Sequence, residues 1–258
     1  MNNALALAGI VIKELYRRKD FYVLFILTAL ITLAMGSFKL FNDDQIVRYI
    51  KEICLKLIWL SSIVIAITTA ARQLPAEKEM RTIFPLLAKP ITRGQVVLGK
   101  FLGCWFACGL ALLLFYTFFC IISGVREHHW PLLNYFQALW LHWVFLAVVT
   151  ALVLLGSVIF SAVSANATIS FIVVTGILFV ARHLNKIALQ MTEPGRSVTY
   201  AIYFAVPHLE LFDVSDLIIH DFPQISWGIC GLATLYGATY AALFLVATWL
   251  VFRRKSLN

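Results

Sequence analysis

The chain has 258 residues, of which 61% are hydrophobic and 13% charged, against roughly 45–50% and about 25% in soluble domains. That excess excludes an ordinary soluble enzyme or binding module and places the chain in a membrane. Its net charge of +8 could suit nucleic acid. The basic residues flank hydrophobic spans and are not interleaved with aromatics, so positive-inside topology accounts for them and no nucleic-acid partner is expected.

In chain order, residues 1–20 are mildly apolar, then basic at Lys13, Arg17, Arg18 and Lys19, which predicts an interfacial helix on the inner leaflet. The first residues carry no basic cluster ahead of the apolar start, so no secretory signal peptide is expected. Residues 21–41 are long enough to span. A polar outer loop is expected at 42–52, a second span at 53–71 with Lys56 snorkelling at its outer end, a third span at 96–123 and a fourth at 134–162. An uncharged turn at 164–167 then leads into a fifth span from 168 to about 181, with helix continuing towards 191. The outer segment 192–225 precedes a sixth span at 226–252. The expected fold is therefore an all-α polytopic membrane protein, a single domain over 1–258 with six spans.

Orientation follows from the Lys and Arg count. Thirteen of the 21 lie before the first span, between Arg72 and Lys100, or at the C-terminus. Both termini are expected in the cytoplasm, and the acids Glu193, Glu210, Asp213, Asp216 and Asp221 fall on the opposite side. The seven tryptophans are expected to form interfacial belts.

Residues 77–103, between the second and third spans, are charged and punctuated by proline. Thr82 can cap a short helix with Pro85 in its first turn. Pro90 stops that helix, and Thr92 with Gln95 forms a capping box for the next. A surface helix is thus expected over 77–90, with Ile83, Phe84, Leu86 and Leu87 as its apolar side.

Few of the remaining motifs carry chemistry. Residues 94–101, GQVVLGKF, nearly match the phosphate loop, but Phe101 replaces the hydroxyl residue and no strand precedes it. Gly99, Gly103, Ala107 and Ala111 form a small-residue stripe suited to close helix packing, and Ala233, Gly237 and Ala241 repeat the pattern. The cysteines, Cys54, Cys104, Cys108, Cys120 and Cys230, are odd in number and lie in or beside apolar spans, so no disulfide framework is expected. His142 is the one ionisable group deep in a span, and a hydrogen bond to a neighbouring helix is its expected role. The spans hold no carboxylate, which argues against ion-coupled transport. Residues 207–223 are too acidic to span yet apolar enough to dip into lipid, so re-entrant or interfacial helices are expected there, with Asp213 and Asp216 as caps. His208, Glu210, Asp213, Asp216 and His220 fit no strong metal motif, and no metal site is expected.

The order of residues in the charged insert resembles the cytoplasmic loop of type-two ATP-binding-cassette permeases. The matching positions are Glu79, Thr82-Ile83, Leu86-Leu87, Pro90-Ile91-Thr92-Arg93 and Gly99-Lys100 with Gly103. Arg81 departs from a common glycine, and Pro85 is unusual inside the helix. The resemblance implies that 77–90 is a coupling helix docking on cytosolic ATPase subunits, with Glu77, Glu79, Arg81, Thr82, Ile83, Leu86, Leu87, Pro90 and Arg93 at the contact. It implies an exporter of an unidentified, amphiphilic substrate in a bacterial cytoplasmic membrane, paired with a second permease subunit, identical or paralogous, and surrounded by lipid. ATP and Mg2+ would sit on the partner, leaving no cofactor in this chain. The nitrous-oxide-reductase maturation permeases are a similar branch. Two other classes stay open: a scaffold for assembly of a membrane complex, and an intramembrane enzyme using His128, His129, His208 or His220.

Overall fold

The computed structural model describes residues 8–13, 44–75, 92–127 and 130–255, together with positions 6, 22, 26, 29, 30 and 33. Every regular element among them is helical. In chain order these are α1 Asp44–Ala71, α2 Arg93–Glu127, α3 Leu132–Ile159, α4 Val163–Gln190, α5 Gly195–Ala205, a 3₁₀ turn at Leu209–Phe212, the single turn α6 Asp216–Ile219, and α7 Trp227–Arg254. Five of the described helices, α1 to α4 and α7, are long and apolar enough to cross a membrane. The expected first span is described only at positions 22, 26, 29, 30 and 33, and the interfacial helix of 1–20 only at 6 and 8–13, all helical. The surface helix expected at 77–90 lies outside the described residues.

Two boundaries depart from the expectation. Residues 44–52 are not a loop but the first turns of α1, which is 28 residues long. Charge alone does not end a helix. Lys51 is buried, its Nζ donates to the Ile218 carbonyl at 3.2 Å, and it lies 3.9 Å from Asp221, so this charge has protein partners. Likewise 164–167 is not a turn. The break falls at 160–162, where Phe160 and Ala162 are extended, and Val163 begins α4. Asn166 does not compete for its own backbone as turn asparagines do. Its Nδ2 reaches the Ala71 carbonyl at 3.1 Å and the Val153 carbonyl at 3.3 Å. The start of α2 follows the capping-box spacing. Thr92 N–H donates to Gln95 Oε1 at 3.0 Å and Gln95 N–H to Thr92 Oγ1 at 3.3 Å.

The helices alternate in direction, which gives the bundle two chemically distinct ends. Leu74, Val97, Val158 and Phe252 form one small core cluster, so the ends of α1, α3 and α7 meet the start of α2. Arg72, Arg93, Arg253, Arg254 and Lys255 share this basic end. The other, acidic end carries residues 207–225. Between them α3 is central. It packs against α1, α2 and α7 and buries residues around its whole circumference from Leu141 to Leu154, the pattern of a helix enclosed on all sides.

Small residues set the closest approaches. At Gly109 of α2 an added Cβ would collide with the Trp143 indole. At Gly237 of α7 it would sit 2.5 Å from Val144 Cγ1 and 3.1 Å from Phe212 Cζ. At Gly103 it would meet Val11 Cβ at 2.7 Å, so the helical N-terminal residues lie against α2. Gly99, Gly103, Ala107 and Ala111 are all buried, as are Gly237 and Ala241, with Ala233 half-buried.

The belt expectation fails for three tryptophans. Trp59, Trp105 and Trp143 lie within the middle of their helices rather than at the rims. Trp105 and Trp143 stack at 4.6 Å between ring centroids and exchange hydrogen bonds, each indole N–H donating to the other's carbonyl at 2.9 and 3.2 Å. With the N–H satisfied inside the protein, an indole need not stay at the wet interface.

Candidate functional site

At the basic end, residues 76–91 leave from α1 and return at α2, and both attachment points are fixed. Arg93 is the anchor. Its Nη1 donates to the carbonyls of Phe252 at 2.6 Å, Arg253 at 3.0 Å and Lys255 at 3.3 Å, and its guanidinium lies 5.4 Å from the Phe252 ring centroid. The last carbonyls of a helix have no partners within it, and a cation there also complements the helix dipole. Lys255 repeats the device one helix further on, its Nζ donating to the Val158 carbonyl at 2.7 Å at the end of α3. The start of α2, the end of α7 and the end of α3 are therefore tied in series. Arg93 turns its fork into the bundle. Glu77, Glu79, Arg81, Thr82, Ile83, Leu86, Leu87 and Pro90 lie outside the described residues.

Removing this tie has a defined cost. Arg93→Ala leaves three helix-end carbonyls without their cation, and about 1–2 kcal/mol of stability should be lost for a partly buried charged donor. Arg93→Lys, which keeps the charge but not the fork, should recover part of it. Thermal unfolding in detergent measures both.

In the middle of the bundle, three helices meet at His142. Ser62 O–H donates to the Trp59 carbonyl at 2.8 Å, so Ser62 Oγ accepts from His142 Nε2–H, also at 2.8 Å. His142 Nδ1 then accepts from Tyr116 O–H at 3.3 Å, and Trp59 stacks on the imidazole at 4.2 Å. A neutral ring with its proton on Nε2 satisfies every partner. In this arrangement the serine proton is committed to a carbonyl and the histidine donates to the serine. That is the reverse of the activation a nucleophilic serine needs.

At the acidic end, residues 207–225 fold against the bundle. Leu209, Phe212, Leu217, Ile218 and Ile219 are buried, and Phe212 reaches α7 beside Gly237. Two amides hold the segment. Gln137 pairs with Ile225 twice, Nε2 donating to its carbonyl at 2.8 Å and Oε1 accepting its N–H at 3.1 Å. Asn134 Nδ2 donates to the carbonyls of Leu217 and Phe222, both at 3.1 Å. Lys56 lies 3.5 Å from Asp213, whose Oδ1 also accepts from Ser215 Oγ at 2.6 Å and Ser215 N–H at 3.2 Å just before α6. Tyr236 O–H accepts from the His208 backbone N–H at 2.9 Å, and His220 stacks on Phe222. Among the described residues no three His, Cys, Asp or Glu side chains converge as a metal site would require. Asp216 lies in the first turn of α6, while His128 and His129 lie outside the described residues. None of the cysteines, Cys54, Cys104, Cys108, Cys120 and Cys230, is in a disulfide.

Asn134, Gln137, Ser62 and Tyr116 are residues whose bonding sequence reading passed over, and Asn166 was read only as part of a turn. Their signal was available: a polar side chain inside an apolar span needs an internal partner, because lipid supplies none.

Packed apolar helices long enough to cross a membrane, with tryptophans, amides and a histidine bonded internally, define a multi-pass helical membrane protein. The family model described as ABC-2 family transporter protein matches residues 9–257, and the chain belongs to that family, the membrane permease subunits of ATP-binding-cassette transporters. Membership implies an ATPase partner. No curated protein matches the chain.

Proposed function

We propose that this chain is the permease subunit of an exporter in a bacterial cytoplasmic membrane, moving an amphiphilic substrate with energy from cytosolic ATPases docked on residues 77–90. The family match over nearly the whole chain supports this reading. The geometry adds a route for the signal. A load on the loop meets Arg93, then the end of α7, and through Lys255 the end of α3, the enclosed helix. Two such permeases, identical or paralogous, would form the pore, with six spans in each. Residues 207–225 would then be a re-entrant plug on the outer side, because Phe212 reaches α7 about 15 Å from that helix's start, at 1.5 Å per residue.

The reading fixes orientation, which is directly measurable. With the basic end cytoplasmic, single cysteines at Asp43 and Glu193 in a cysteine-free background should label with an impermeant thiol reagent in intact cells. One at Lys89 should stay unlabelled until the cells are opened. Labelling at Lys89 in intact cells would reverse the topology.

The reading as a scaffold for complex assembly has no observation of its own in its favour. The intramembrane-enzyme reading, built on His128, His129, His208 or His220, likewise has none in its favour.

A further inference from the structure

Beside the Arg93 anchor, α2 and α7 line a groove of about 240 Å3 formed by Gly94, Val97, Leu98, Leu245, Val246 and Trp249. Its walls are almost wholly apolar, and Leu98, Val246 and Trp249 are 49%, 53% and 37% exposed. Gly94 keeps the floor open, since a Cβ there would already touch the Trp249 indole at 3.5 Å. The groove ends where α7 becomes basic. The Arg253 guanidinium lies 5.7 Å from the Trp249 ring centroid, and Arg253 and Arg254 are both exposed. Neither has a carboxylate partner among the described residues. The Arg93 hydrogen bonds use the backbone carbonyls of this last turn and not the two guanidinium groups.

We infer that this groove binds one anionic phospholipid, with part of an acyl chain along Val97, Leu98 and Val246 and the phosphodiester against Arg253 and Arg254. Each half of the site matches one half of that ligand. An apolar trough opening sideways from two packed helices suits a hydrocarbon chain. Two cations with no carboxylate partner among the described residues suit a headgroup of net negative charge and not a zwitterion, whose ammonium they would repel. Trp249 stands between the two regions, at the depth where an indole faces both hydrocarbon and headgroups. The assignment needs only that this end of the bundle meets a headgroup layer, on whichever side of the membrane, so it stands apart from the proposed transport cycle. A lipid seated here would brace α2 and α7 beside the Arg93 tie, where the loop enters.

Native mass spectrometry of the purified full chain, in detergent micelles doped with phosphatidylglycerol or phosphatidylcholine, tests the site. The wild type should retain phosphatidylglycerol about tenfold better, the order expected of two cations at a headgroup layer. Arg253→Gln with Arg254→Gln should retain the two lipids equally. These exposed substitutions preserve the carbonyls that Arg93 uses, and an unchanged circular dichroism spectrum and elution volume would show the fold intact. Val246→Trp, which fills an exposed trough without touching a charge, should reduce retention of phosphatidylglycerol several-fold. Equal retention of both lipids by the wild type would overturn the inference. So would a preference that survives loss of both arginines. Normal retention by Val246→Trp would show that the headgroup binds without the groove, and would overturn it as well.

Discussion

Replacing Gln137 with leucine is expected to free the end of the segment 207–225 from the bundle and to lower stability by about 2 kcal/mol. The amide of Gln137 satisfies both polar groups of the Ile225 backbone at once. Leucine has a similar volume and removes both bonds, leaving one N–H and one carbonyl without partners beside an apolar helix. An orphaned buried polar group costs about 1–3 kcal/mol, more than the bond itself contributes in water. Ile225 is only half-buried, so water recovers part of the loss, which keeps the figure near the lower end for two groups. Hydrogen exchange in lipid nanodiscs should show the change locally. Protection across residues 209–219 in the wild type should fall in Gln137→Leu, while the middle of α3 stays protected. Asn134→Leu should loosen the same segment by releasing the Leu217 and Phe222 carbonyls. Fast exchange across 209–219 in the wild type itself would mean that the segment is a solvated loop. In that event the depth assigned to Phe212 would be wrong.

Much of the bundle was legible because apolar length is a strong signal. The third span falls inside α2, the fourth overruns the end of α3 by three residues, the sixth begins one residue ahead of α7, and the capping box at Thr92 and Gln95 placed the start of α2 within a residue. Misreadings arose where a local rule met a tertiary partner. Residues 44–52 read as loop because they are charged, yet Lys51 is held by the Ile218 carbonyl some 167 residues away in sequence. Asn166 read as a turn residue, yet its amide joins α4 to the ends of α1 and α3. The tryptophan rule failed at Trp105 and Trp143 because their partners were each other. In each case the deciding contact is distant in sequence, and periodicity carries no information about it. The candidate site was legible only in part. Arg93 could be picked out by position and motif, but nothing in the sequence showed that its guanidinium turns inward onto α7.

Leu86→Ala combined with Glu79→Lys is expected to leave the protein inserted and folded while weakening its association with the ATPase by about 2 kcal/mol or more, roughly thirtyfold in affinity. A surface helix in a partner's groove depends on a few anchors, and truncating an apolar anchor while reversing a flanking charge removes two kinds of contact together. The phosphate-loop near-match offers no nucleotide site to compensate. The near-match at 94–101 lies wholly within α2, which begins at Arg93 and continues without interruption to Glu127. Its backbone N–H groups from the second turn onward point along the helix to carbonyls four residues back, so they are not free to cradle phosphates. The purified chain alone should therefore hydrolyse no ATP. With its ATPase added, the wild type should co-purify with it, and the double variant should either lose it or retain hydrolysis without transport. Arg93→Ala offers the contrast that separates docking from transmission. Its fork contacts the end of α7, so the ATPase should still bind while coupling falls. If the double variant transported normally with its ATPase attached, residues 77–90 would not be the docking element. If Arg93→Ala lost the ATPase altogether, the inward-facing anchor would have to be part of the docking surface after all.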